Sequence, residues 1–111
     1  MNNIIYSDAF ESKLKRFAKK FPSILDEIEK LAEQLEDDAQ IGISLGSGLY
    51  KIRLSVESKG GGKSGGFRVI SYIVYQEPES SDVYLVTLYD KSEDNSFKKE
   101  SLVKLIKKII I

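Results

Sequence analysis

Lys51, Arg53, Lys59, Lys63 and Arg68 fall within eighteen residues that hold a single acidic side chain, Glu57. Cations gathered this densely repel one another unless an anion joins them. Arginine grips two phosphate oxygens at once and lysine adds a mobile point charge. The chemistry these residues suit is therefore the binding of phosphate esters. In LYKIRLSVE, Lys51 and Arg53 alternate with Tyr50, Ile52, Leu54 and Val56, which puts both cations on the polar face of a half-buried strand. The stretch SKGGGKSGGFR, residues 58–68, then carries Lys59, Lys63 and Arg68 back toward them. If it is a hairpin, its arms lie about 5 Å apart and the five cations converge on one end of a sheet. Its five glycines would let a sugar-phosphate backbone come close. A polyanion is the expected ligand.

Two nucleotide motifs overlap in the same loop, and both fail on context. Gly60, Gly62 and Gly65 satisfy a dinucleotide spacing, and Gly62-Lys63-Ser64 resembles the end of a phosphate-binding loop. The latter needs a glycine five residues before Gly62, where Glu57 stands. Either motif must also open a helix whose N-terminal amides hold the phosphate. Here the following FRVISYIVY reads as a strand.

The elements that must position these cations follow from the hydrophobic periods. IIYS, residues 4–7, is a candidate first strand. Asp8 and Glu11 form the pattern of a capping box, and Phe10, Leu14, Phe17 and Ala18 recur at helical spacing. Phe21-Pro22 ends that helix and Pro22 can open the next, in which Leu25, Ile28, Leu31 and Leu35 continue the pattern. FRVISYIVY (67–75) and VYLVTLY (83–89) are apolar on both parities, as central strands are, and the polar QEPESSD between them is a turn. Leu102, Leu105, Ile106, Ile109 and Ile110 give a C-terminal helix, or an amphipathic tail that needs a surface to cover. Helices followed by consecutive strands predict an α+β domain over residues 1–111: an N-terminal helical hairpin packed on a mainly antiparallel sheet, with a short C-terminal helix.

Composition narrows the chemistry further. With no Cys and no His among 111 residues, thiolate and imidazole metal sites are excluded, as are disulfides and His-based proton transfer. No run approaches the ~20 apolar residues of a membrane span, and the N-terminus lacks the form of a secretory signal. A cytoplasmic protein is expected. Formal charge is zero, yet residues 41–75 carry five cations against one acid, so the neutral total hides a basic middle.

The segment Gly48-Leu49-Tyr50-Lys51-Ile52-Arg53, the hairpin from Lys59 to Arg68 and the later Tyr89-Asp90-Lys91-Ser92-Glu93 together resemble the RelE/ParE superfamily of type II toxin–antitoxin toxins, in particular the HigB-like branch. The two helices fit as well, so the resemblance covers nearly the whole chain. It implies a RelE-like fold and a toxin that enters the ribosomal A site and cuts mRNA. It also implies a cognate antitoxin, of the helix-turn-helix type in that branch. By motif position it assigns catalytic roles to Lys51, Arg53, Arg68 and Lys91, and RNA binding to Lys59 and Lys63. The aromatic that stacks on a base in RelE-type toxins falls near Phe97, which lacks a hydroxyl.

The implied reaction is attack of an RNA 2′-hydroxyl on the adjacent phosphate, metal-independent and without a cofactor. The cations answer the need to stabilise charge on phosphorus. Proton transfer is left open among Lys51, Tyr89 and the carboxylates Asp90 and Glu93, which could equally cap a following helix. Two rivals share the fold: a ParE-like toxin acting on DNA gyrase, and an inactive homologue working only in a repressor complex with its antitoxin.

Overall fold

The computed structural model describes residues 1–60, 66–77 and 80–110. Strand β1 (Asn3–Tyr6) leads into the helical hairpin α1 (Asp8–Lys20) and α2 (Ile24–Asp37). Strands β2 (Ile43–Gly46), β3 (Leu49–Leu54), β4 (Phe67–Glu77) and β5 (Ser80–Asp90) follow. A 3₁₀ segment (Lys91–Ser96) and helix α3 (Lys99–Ile110) complete the order. The sheet runs β1-β5-β4-β3-β2, antiparallel throughout except that β1 lies parallel to β5. This is the expected α+β architecture, with its helical hairpin, mainly antiparallel sheet and short C-terminal helix.

Each helix is an amphipathic solution to covering that sheet. Ile28, Leu31 and Leu35 of α2 are buried as expected, with Phe10 of α1, against Ile52, Leu54, Val69, Val83, Leu85 and Leu88, but Ile24 takes the place of the expected Leu25, which is exposed. The start of α1 corrects the expected cap by one residue. Ser7, not Asp8, is the N-cap: its backbone is extended and its Oγ accepts from the Phe10 N–H at 3.1 Å. The same hydroxyl donates to the Val86 carbonyl at 3.0 Å, which ties the helix to β5. Asp8 sits in the first turn instead, beside the positive end of the helix dipole.

Three further differences concern the sheet. Strand β2 has no counterpart among the expected elements. It joins β3 through a two-residue turn in which Ser47 (φ 57°) and Gly48 (φ 84°) both take left-handed backbone, the geometry that matches the twist of a hairpin. The expected turn QEPESSD is shorter than its polar composition suggested, because β4 and β5 pair out to Glu77 and Ser80. The C-terminal helix forms as expected, and the surface it covers is one the sequence did not name. It docks on the second face of the sheet, where Leu102 is fully buried with Leu49, Ile70, Val86 and Tyr89. With helices on both sides, β4 and β5 need apolar residues at both parities.

Candidate active site

Register and parity place three of the sequence-predicted cations together. On β3, Lys51 and Arg53 share a face with Leu49, which belongs to the α3 side of the sheet. Arg53 stands directly opposite Arg68 of β4, and Arg68 directly opposite Tyr89 of β5. Arg53, Arg68 and Tyr89 therefore form one row across three adjacent strands, roughly 10 Å from end to end. Lys51 begins the next row, opposite Ile70.

The members of this group differ in how they meet solvent. Arg53 is exposed, whereas Arg68 is only 4 % exposed and donates from Nη1 to the Phe67 carbonyl at 3.1 Å. Arg68 is thus the buried member of the pair and Arg53 the exposed one. Lys51 is half-buried, and its Nζ lies 3.7 Å from Asp94 Oδ1. Gly42 holds the backbone beneath it: a Cβ at that position would meet the Lys51 carbonyl oxygen at 2.5 Å, and the residue adopts φ +101°. A groove of about 490 Å³ opens at this edge between Ile41, Gly42, Ile43 and the Lys51–Arg53 segment.

Tyr89 is completely buried, stacks on Phe97 with ring centroids 4.2 Å apart and planes 8° from parallel, and donates its hydroxyl to Asp94 Oδ1 at 2.8 Å. Burial, that hydrogen bond and the charge of Asp94 push the phenol well above its ordinary value, and the nearby Arg68 offsets this only in part. Lys13 of α1 places its ammonium 5.2 Å from the Phe97 ring centre.

The remaining predicted residues lie around this centre. Lys59 is turned to the end of the sheet, 3.2 Å from Asp90 Oδ2 and within 6 Å of the Phe21 and Phe67 rings. Burial alone would raise the Asp90 carboxyl, but the Ser92 N–H and the Lys59 ammonium outweigh it and hold the group below its usual range. Asp90 and Glu93 form a capping box on the 3₁₀ segment, Asp90 Oδ1 accepting from Ser92 N–H and Glu93 Oε1 from Asp90 N–H. Lys91 is exposed at the start of that segment, where its N–H donates to the Gly66 carbonyl at 3.1 Å. Lys63 lies outside the described residues.

Sequence reasoning missed Asp94 and Lys13. No periodic relation links Asp94 to Tyr89 five residues earlier, and Lys13 looks like any cation on the outer face of an amphipathic helix. Among the described residues, no group of three or more acidic, His or Cys side chains is placed to hold a metal ion, and no helix is long and apolar enough to cross a membrane.

The sheet thus has helices on both faces, and Lys51, Arg53 and Arg68 share its α3 side. The chain belongs to the RelE toxin family: residues 9–109 match the family described as the RelE toxin of the RelE / RelB toxin-antitoxin system. It is thus a toxin of the type II systems within the RelE/ParE superfamily, and an antitoxin is its partner. No curated protein gives a significant match to the chain.

Proposed function

We propose that this toxin is a ribosome-dependent mRNA endonuclease of the HigB-like branch, acting in the cytoplasm and held in check by a helix-turn-helix antitoxin. The reaction is attack of a 2′-hydroxyl on the neighbouring phosphate, yielding a 2′,3′-cyclic phosphate and a 5′-hydroxyl end. One observation carries the reading: Lys51, Arg53 and Arg68 occupy one face of the sheet, with the two arginines directly opposite each other. Like charges at directly opposite strand positions repel. A phosphate seated between them removes that cost and gains charge-assisted hydrogen bonds. As negative charge builds on phosphorus, the same groups bind more tightly, which is what lowers a barrier. Lys91 supplies a further cation, Lys63 is assigned to RNA on its place in the sequence alone, and Lys59 guides RNA once Asp90 releases it.

The ribosome contributes the remaining ingredient by ordering the mRNA, so free RNA should be cut poorly. The test is to map mRNA ends in a translating extract supplied with the wild-type protein or the Lys51→Ala/Arg53→Ala double variant. Cuts made by the wild type and lost in the variant support the reading. Equal cutting by both removes the assigned site. Intact mRNA together with inhibited DNA supercoiling would favour the gyrase-directed rival.

A further inference from the structure

A nuclease without histidine or cysteine needs some other group to take the 2′-hydroxyl proton. Each group that sequence reasoning offered is already engaged within the fold. The Tyr89 ring is wholly buried and its hydroxyl donates a hydrogen bond to Asp94 Oδ1, which keeps it in its protonated form. Asp90 has Oδ1 occupied by the Ser92 N–H and Oδ2 by the Lys59 ammonium. Glu93 is turned back onto the Asp90 N–H as part of the cap. Lys51 Nζ is engaged with the Asp94 carboxylate, 3.7 Å away.

Asp94 is different. Its Oδ1 accepts from Tyr89 at 2.8 Å and faces the Lys51 ammonium at 3.7 Å. Its Oδ2 has no partner among the described residues. The side chain is about one-third exposed, open enough to reach a substrate, and the buried, ring-stacked Tyr89 fixes its orientation. Resting on the endonuclease reading above, we propose that Asp94 is the general base of this toxin, with Tyr89 positioning it and Lys51 bridging it to the scissile phosphate.

The step balances as follows. The 2′-O–H bond breaks and its proton passes to Asp94 Oδ2. The 2′-oxygen bonds to phosphorus, the bond from phosphorus to the 5′-oxygen breaks, and that oxygen takes a proton from water. Asp94 then returns its proton to water. During the step one negative charge leaves the carboxylate as one arrives on the phosphorus oxygens. Both sites lie beside Lys51, so the cations need little rearrangement to follow the charge.

The experiment measures single-turnover cleavage on programmed ribosomes by the wild type, Asp94→Asn and Asp94→Glu. Alongside it, occupancy is measured on an mRNA carrying a 2′-O-methyl group at the scissile nucleotide, which cannot react. Asparagine keeps an acceptor for Tyr89 but cannot take the proton. Its cleavage should slow by about 10²–10⁴-fold with occupancy and melting temperature close to wild type. Glutamate should recover a large part of the rate. Asparagine cutting as fast as wild type would overturn the role while leaving the endonuclease intact. So would glutamate cutting no faster than asparagine, or cleavage, occupancy and melting falling in parallel, the mark of a structural residue. A wild type that leaves ribosome-bound mRNA uncut would remove the nuclease and this role together.

Discussion

Replacing Arg53 by Gln should make the free protein more stable while abolishing its proposed activity. The two arginines face each other across β3 and β4, one exposed and one 4 % exposed. Like charges at directly opposite strand positions cost about 0.2–1 kcal/mol, and the exposure of Arg53 favours the lower half of that range. Glutamine keeps most of the aliphatic stem over the sheet and deletes only the charge. For a chain of 111 residues the unfolding entropy is roughly 0.23 kcal/mol/K, so relief of the repulsion should raise Tm by about 1–3 °C. Thermal unfolding followed by circular dichroism in dilute buffer would read this directly. In about 1 M salt, where the Debye length falls to ~3 Å, the gain should nearly vanish. mRNA cutting should be lost in the same variant. A melting temperature that falls, or a gain that persists in high salt, would refute the reasoning, because Arg53 would then be held by contacts internal to the fold.

Tyr89→Phe keeps the stack on Phe97 but deletes the hydrogen bond to Asp94; a bond of this kind contributes about 1–2 kcal/mol, so Tm should fall by roughly 4–9 °C. Cleavage by this variant should fall far less than in Asp94→Asn, and an equal loss would make the phenol itself the reacting group. Asp90 is held below its usual range in the folded chain, so its contribution is present above the unfolded carboxylate value near 3.9 and is lost as pH falls through the lower folded value. Asp90→Asn should therefore lower stability at neutral pH and flatten the acid limb of a stability–pH curve, which urea titrations between about pH 2 and 6 would show. Leu102→Ala should cost about 2–5 kcal/mol in denaturant unfolding, since Leu102 is wholly enclosed between α3 and the sheet, and a smaller loss would mean that α3 collapses into the space.

What could be read from the residues follows from which physical signals are local. The alternation in LYKIRLSVE is a period-2 pattern, which by itself puts Lys51 and Arg53 on one side of a strand. The helical hairpin was equally legible, because its apolar stripes at α1 and α2 stand out against charged faces. Ser7 and Asp8 are both good cap formers, so only backbone geometry could choose between them. Strand β2, the four residues ISLG, is too short and too exposed to leave a pattern. The burial of Arg68 ran against the usual exposure of its residue type. Asp94 depends on a 3₁₀ turn folding back over the sheet, a long-range event with no trace in spacing.

The most direct measurement is a structure of the toxin on a ribosome whose mRNA carries a 2′-O-methyl group at the scissile nucleotide. The scissile phosphate should lie within hydrogen-bond distance of Arg53, with Lys51 beside it and Arg68 beneath. A phosphate seated elsewhere, with the Arg53–Arg68 row facing solvent or protein, would contradict the account.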